Sequence, residues 1–68
     1  MRVNEHTYVN RCAEHLSSLP VNAHRFVCDM RRLQKRAPYV QLSKPQSLYL
    51  HRLHERLVRQ GIVEALQA

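Results

Sequence analysis

The strongest helix signal in this chain of 68 residues lies in residues 43–62, which read SKPQSLYLHRLHERLVRQGI. Ser43 and Gln46 fit a capping box, in which the serine hydroxyl accepts from the amide of residue 46 and the glutamine side chain reaches back to the amide of residue 43. Pro45 falls in the first turn, where its missing N–H costs little. These residues predict a helix that begins at about residue 44.

The same stretch also predicts the inward face and the end of this helix. Gly61 is expected at the C′ position, because a residue with positive φ is needed there and glycine has no Cβ to clash. Ile62 can then pack back onto the helix, as in a Schellman motif. A further short turn is expected over residues 63–66. The inward stripe recurs at helical spacing, with Leu50, Leu53 and Leu57 in line and Tyr49 at its edge.

Two further amphipathic segments precede this helix. Asn4 is expected to cap a first helix over residues 5–17, which ends before Pro20. Asn22 is expected to cap a second helix that runs to about residue 36 and is closed by Pro38. Both segments keep the helical period, through Tyr8, Val9, Cys12 and Leu16 in the first and Ala23, Phe26, Val27, Met30, Leu33 and Ala37 in the second.

The sequence therefore predicts an all-α protein, either a small helical hairpin or a three-helix bundle, with one domain over residues 1–68. No stretch alternates apolar and polar residues, and Gly61 is the one glycine. A core of this size seldom supplies more than about 3–5 kcal/mol, so a homodimer is expected. Residues 1–5 are polar and no apolar run approaches a membrane span, so we expect no signal peptide and a cytoplasmic location with reduced cysteines.

Basic residues outnumber acidic ones by 11 to 5, which gives a net charge of +6 at pH 7. Between residues 25 and 59 there are nine basic residues, and only Asp29 and Glu55 oppose them. Such charge informs about partners rather than about fold. One interpretation is a solvated face that keeps a small protein soluble. The other is a nucleic-acid surface whose arginines neutralise phosphates, through Arg25, Arg32, Arg36, Arg52, Arg56 and Arg59.

Two cysteine–histidine pairs raise the question of a metal site. Cys12 and His15 are three residues apart, and His24 and Cys28 are four apart, so each pair lies on one helical face. A hairpin could bring the two pairs together around zinc. However, Cys12 also belongs to the apolar stripe, where a reduced cysteine behaves as a small hydrophobe. We therefore expect no metal, and keep this zinc set as the alternative.

Catalytic chemistry has little support in the sequence. His51, His54 and Glu55 do not form the His-Glu-x-x-His pattern of the zincins, so they are expected to be solvated residues on the flank of the third helix. A single glycine leaves no Gly-rich phosphate loop, and a bundle of this size has little room for a pocket. We expect a protein that is not an enzyme and that carries no cofactor.

Apolar and aromatic residues outside the helical stripes point to a protein-binding surface. Leu48 and Val58 fall off the inward stripe of the third helix, and Tyr39 lies in a loop that contains proline. Tyrosine and arginine are the residues most often found as interface anchors. Tyr39 beside Arg32 and Arg36 therefore makes a contact patch for an acidic or amphipathic partner. The alternative is that Tyr39 only covers the end of the bundle.

Half of the chain also resembles small helical proteins of temperate bacteriophages. The residues that carry the resemblance read FVxDM from residue 26, LSxxQ from residue 42 and YLxRLxxR from residue 49. Early phage proteins of this size commonly bind and disable a host protein. The phage anti-quorum-sensing proteins are similar: they are small helical dimers that bind a host transcription activator and a pilus-assembly ATPase. The resemblance implies a protein-binding modulator in a bacterial host, and nucleic-acid binding is the alternative hypothesis.

Overall fold

The computed structural model describes residues 1–66 and contains three α-helices. Helix α1 spans Val3–Glu14, α2 spans Val21–Arg36 and α3 spans Lys44–Arg59, with a short 3-10 turn over Leu16–Ser18. No strand occurs in this part of the chain. The structure confirms the all-α prediction and selects the three-helix arrangement over a hairpin.

Helix α1 is the central element, because it packs against both of the other helices. Its contacts with α2 show that these two helices are antiparallel. The Gln34 side chain donates to Nδ1 of His6 at 3.0 Å, and one turn further along α1 the Arg31 guanidinium donates to the Asn10 amide oxygen at 2.9 Å. Sequence numbers therefore rise on α1 as they fall on α2, as expected for helices joined by a short connection.

Helix α3 runs parallel to α1. Glu5 contacts Ser47, and Arg11 contacts His54, so residues of α1 meet residues of α3 at a constant offset of 42 to 43 positions. Because the chain must return to the same end of the molecule to form this pair, α2 serves as the crossover between them. The amino ends of α1 and α3 consequently lie side by side.

The core confirms the predicted stripes and adds two residues from the connecting segments. Leu19, before α2, and Leu42, before α3, are both buried and close the two ends of the core. A fully buried leucine contributes roughly 1.5–3 kcal/mol relative to an exposed one, so a handful of such residues holds the domain together. The remaining core residues are Val9, Cys12, Ala23, Val27, Met30, Leu50, Leu53 and Leu57.

The predicted ends of α3 are correct. Ser43 accepts from the Gln46 amide at 3.3 Å, and the Gln46 side chain accepts from the Ser43 amide at 2.9 Å, which completes the capping box. Gly61 has a φ of 72°, and Ile62 donates its amide to the Leu57 carbonyl at 3.0 Å. This geometry is the expected Schellman motif. The turn predicted over residues 63–66 is absent, and the chain has no regular secondary structure there.

The predicted starts of α1 and α2 are both two residues too late. Helix α1 begins at Val3, with Arg2 rather than Asn4 at the N-cap position. The Glu5 carboxylate accepts the backbone N–H of Arg2 at 2.7 Å, so the helix is capped from its own first turn. Helix α2 begins directly after Pro20, which places Asn22 inside the helix.

The first helix also ends earlier than predicted. It stops at Glu14, and the chain then tightens into the 3-10 turn of residues 16–18.

Within residues 1–66, none of the helices combines the length and the apolar character that a bilayer-spanning segment needs.

Candidate functional site

A polar seam joins α1 to α3, and a buried histidine lies at one end of it. His54 is 1 % exposed, so its predicted place on a solvated flank is wrong. Its Nε2 lies 3.0 Å from the Arg11 guanidinium, and its ring lies 4.4 Å from the Tyr8 ring between centroids. Because a guanidinium can only donate, Nε2 accepts and the ring proton resides on Nδ1. Nδ1 has no hydrogen-bond partner among the described residues.

The surroundings of His54 favour its neutral form. Burial lowers the pKa of His54 below its ordinary value of 6.5, and the cation of Arg11 and the nearby His51 act in the same direction. The carboxylate of Glu55 raises the pKa of His54, but this effect is smaller than the combined lowering. His51 and Glu55 themselves are about half exposed and lie 3.7 Å apart, so the prediction of a solvated flank is correct for these two residues.

A buried carboxylate forms the other end of the seam. Glu5 is 7 % exposed and accepts from the Ser47 hydroxyl at 2.6 Å as well as from the Arg2 amide. Burial raises the pKa of Glu5, but these two hydrogen bonds and the charge of Arg2 outweigh it, so the pKa lies below its ordinary value. Sequence patterns gave no sign of this role, because Ser47 lies 42 residues away along the chain.

An open groove of about 630 Å³ lies beside this seam, between the first halves of α1 and α3. Tyr8, Leu42 and Leu48 give it an apolar lining, and Arg2 and Lys44 are exposed cations among its polar residues. Glu5 also faces the groove, but its two oxygens are already occupied. The groove therefore combines apolar surface with two exposed cations, against which Glu5 is the one carboxylate among the lining residues.

The predicted protein-binding patch is only partly assembled. Tyr39 is 96 % exposed, so it does not cover the end of the bundle. Arg36 ends α2, Tyr39 follows in the loop and Leu48, which is 51 % exposed, lies in the second turn of α3. Arg32 is exposed one turn before Arg36. Val58 is set apart, since it is half-buried and lies about 15 Å further along α3 than Leu48.

The six arginines predicted to contact nucleic acid form two rows, one on the outer face of α2 and one on the outer face of α3. Within residues 1–66, Asp29 is the one carboxylate within 4.0 Å of any of them, and it pairs with Arg32 at that distance. The two helices meet through Phe26 and Tyr49, whose ring centroids are 4.7 Å apart. All six predicted arginines are exposed, namely Arg25, Arg32, Arg36, Arg52, Arg56 and Arg59.

The cysteine–histidine set is not gathered into a metal site. Cys12 is fully buried in the core, and burial raises the pKa of its thiol to about 11, whereas Cys28 is exposed. The Nε2 of His24 donates to the Leu19 carbonyl at 3.2 Å, and His15 lies at the end of α1. No three histidine, cysteine or acidic side chains of residues 1–66 are placed to share a metal ion.

Comparison with known proteins does not assign this chain to a class, so the class rests on the fold. No family model, curated protein or solved structure matches the chain. It is a small all-α protein with three helices, a basic outer surface and an apolar groove. Its function is therefore inferred from the side chains that this fold exposes.

The buried His54 predicts that stability falls in mild acid. The folded protein keeps His54 neutral, so unfolding takes up a proton as the pH falls below about 6.5. The free energy of unfolding should then decrease with falling pH, by at most about 1.4 kcal/mol per pH unit, until the folded-state pKa is passed. Urea unfolding at several pH values measures this slope.

The matched variant is His54→Gln, which keeps an acceptor for Arg11 but cannot titrate. In this variant the free energy of unfolding should depend less on pH below 6.5, because the contribution of His54 is gone. His51→Gln, at a half-exposed position on the same helix, should keep the pH dependence of the wild type. Equal slopes in the wild type and in His54→Gln would contradict the buried neutral histidine.

Proposed function

We propose that this chain is a non-enzymatic protein that binds and inhibits a host protein, acting as a homodimer in the cytoplasm of a bacterial host. Candidate targets are a transcription regulator, such as a quorum-sensing activator, or a pilus-assembly ATPase. The resemblance of residues 24–59 to small phage proteins supports this class of target. The observation that carries the proposal is the near-complete exposure of Tyr39, which lies beyond the arginine-bearing end of α2.

An exposed tyrosine of this kind is suited to binding another protein. Its ring offers a large apolar surface and a polar tip, and it loses little conformational entropy when it is immobilised. Arg36 and Arg32, three and seven residues before it, supply positive charge on the same side of the sequence, and both are exposed. Interfaces typically depend on a few anchors of these two residue types, surrounded by contacts that only exclude water.

The loop that carries Tyr39 is also held in place. The His6 ring donates from Nε2 to the Pro38 carbonyl at 3.2 Å, while its Nδ1 accepts from Gln34. A loop anchored to α1 through His6, whose ring is itself held by Gln34 of α2, presents its tyrosine in a restricted set of positions. Such preorganisation improves affinity, because less freedom is lost on binding.

Substitution of the two proposed anchors tests this function. Tyr39→Ala and Arg32→Ala should each weaken binding to the host protein by at least about 1 kcal/mol, roughly fivefold in Kd, because anchors carry most of the interface energy. Isothermal titration with the purified quorum-sensing activator and with the pilus-assembly ATPase measures this effect.

Val21→Ala is the matched control for that experiment. Val21 is 84 % exposed but begins α2, at the opposite end of that helix from Tyr39. Circular dichroism should show native helix content in all three variants, since none removes a core contact. Unchanged affinity in both anchor variants would contradict the proposed patch, and no binding of either host protein would contradict the proposed targets.

Nucleic-acid binding is the second candidate, and the free arginine rows favour it. Within residues 1–66, these six exposed arginines have one carboxylate within 4.0 Å, that of Asp29, and they could contact phosphates along two helices. This candidate predicts tight binding at physiological salt and a steep loss of affinity as salt rises. The slope of log affinity against log salt concentration should fall by about one for each phosphate-contacting arginine removed.

A salt series with duplex DNA separates the two candidates. The proposed function predicts only non-specific binding, with a Kd of about 10⁻⁴–10⁻⁶ M at physiological salt. Arg52→Ala and Arg56→Ala should then leave binding of the host protein unchanged. Tighter binding to DNA, together with a smaller salt slope in these two variants, would favour the nucleic-acid function instead.

A further inference from the structure

One end of the molecule collects most of the exposed apolar side chains. We call it the loop end; it comprises residues 1–10, the last turn of α2, the loop between α2 and α3, and the amino-terminal half of α3. Among residues 1–66, four of the five large apolar residues that are conspicuously exposed lie there, and the fifth, Val21, begins α2. The four are Val3, Tyr39, Val40 and Leu48.

The parallel packing of α1 on α3 is what brings these residues together. Val3 is in the first turn of α1 and Leu48 in the second turn of α3, and the contact between Glu5 and Ser47 places these turns side by side. The loop joins them because His6 holds the Pro38 carbonyl. The groove of about 630 Å³ opens between the two helices at this end, and such a volume accommodates one or two large side chains.

The loop end carries a net positive charge. Across residues 1–10 and 35–50 the one acidic residue is Glu5, and both of its oxygens accept hydrogen bonds within the protein. Opposing it are Arg2, Lys35, Arg36 and Lys44. The amino ends of α1 and α3 add the positive ends of two helix dipoles on the same side.

We propose that the groove at the loop end is the docking site for an acidic, amphipathic segment of a partner protein, with an apolar side chain against Tyr8 and Leu48 and carboxylates on Arg2 and Lys44. This inference rests on the proposed function and adds that the partner presents acidic and apolar side chains at the contact. A second copy of this chain fits less well, because an isologous contact would place two cationic ends against each other.

The test uses a defined probe rather than an unknown ligand. The probe is a synthetic helical peptide with leucine and phenylalanine on one face and glutamate on the other, labelled for fluorescence anisotropy. A twin peptide carries lysine in place of every glutamate. The glutamate peptide should bind at least about tenfold more tightly than its twin, because like charge disfavours the twin at this end. Amide shifts in NMR spectra should cluster on Tyr8, Lys44 and Leu48.

Two variants and two matched controls locate the binding. Leu48→Asp and Lys44→Glu should each weaken binding of the glutamate peptide by about tenfold. Both should fold, since Leu48 is half exposed and an acidic residue is favoured in the first turn of a helix. Val21→Asp and Arg25→Glu make the same types of change at exposed positions near the start of α2, at the opposite end of the molecule, and they should leave the affinity unchanged.

Three results would overturn the docking site. These are equal affinity for the two peptides, an equal loss of affinity in the control variants, and binding only to anionic phosphatidylglycerol vesicles. Parallel measurements with the host protein separate this site from the proposed function. If Leu48→Asp and Lys44→Glu leave host-protein binding intact, the docking site is wrong and the function stands. If the peptide binds as expected but no host protein does, the function is wrong and the site stands.

Discussion

The packing of α3 parallel to α1 is the contact on which the rest of this structure depends. It is held by an apolar core and also by buried polar groups, which accept only one register. A shift by one helical turn would separate Glu5 from Ser47 and Arg11 from His54. Each buried polar group left without a partner costs about 1–3 kcal/mol, which is a large share of what a core of this size supplies.

That register also creates the surface on which function is proposed to reside. Because two helices start at the same end, Arg2 at the N-cap of α1, Lys44 at the start of α3 and the loop between α2 and α3 meet around one groove. The lining holds two exposed cations, Arg2 and Lys44, against the single carboxylate of Glu5, so the groove keeps a net positive charge. The outer arginine rows are a separate feature, since they lie on the faces of α2 and α3 that point away from the core.

Features that depend on neighbouring residues could be predicted from the sequence, whereas long-range polar contacts could not. The capping box of Ser43, the Schellman turn at Gly61 and the apolar stripes all arise within a few residues, so their patterns are visible locally. The burial of Glu5 and His54 depends on partners more than forty positions away. A charged or titratable residue at the edge of an amphipathic pattern therefore looks solvated until the tertiary packing is known.

The contact between the Tyr8 and His54 rings tests the central packing most directly. With ring centroids 4.4 Å apart, protons of the two rings should show strong nuclear Overhauser effects in the NMR spectrum of the folded protein. The parallel arrangement predicts these cross-peaks together with cross-peaks between Glu5 and Ser47 side chains. A folded protein in which Tyr8 shows cross-peaks to α2 but none to His54 would contradict the arrangement, and with it the groove.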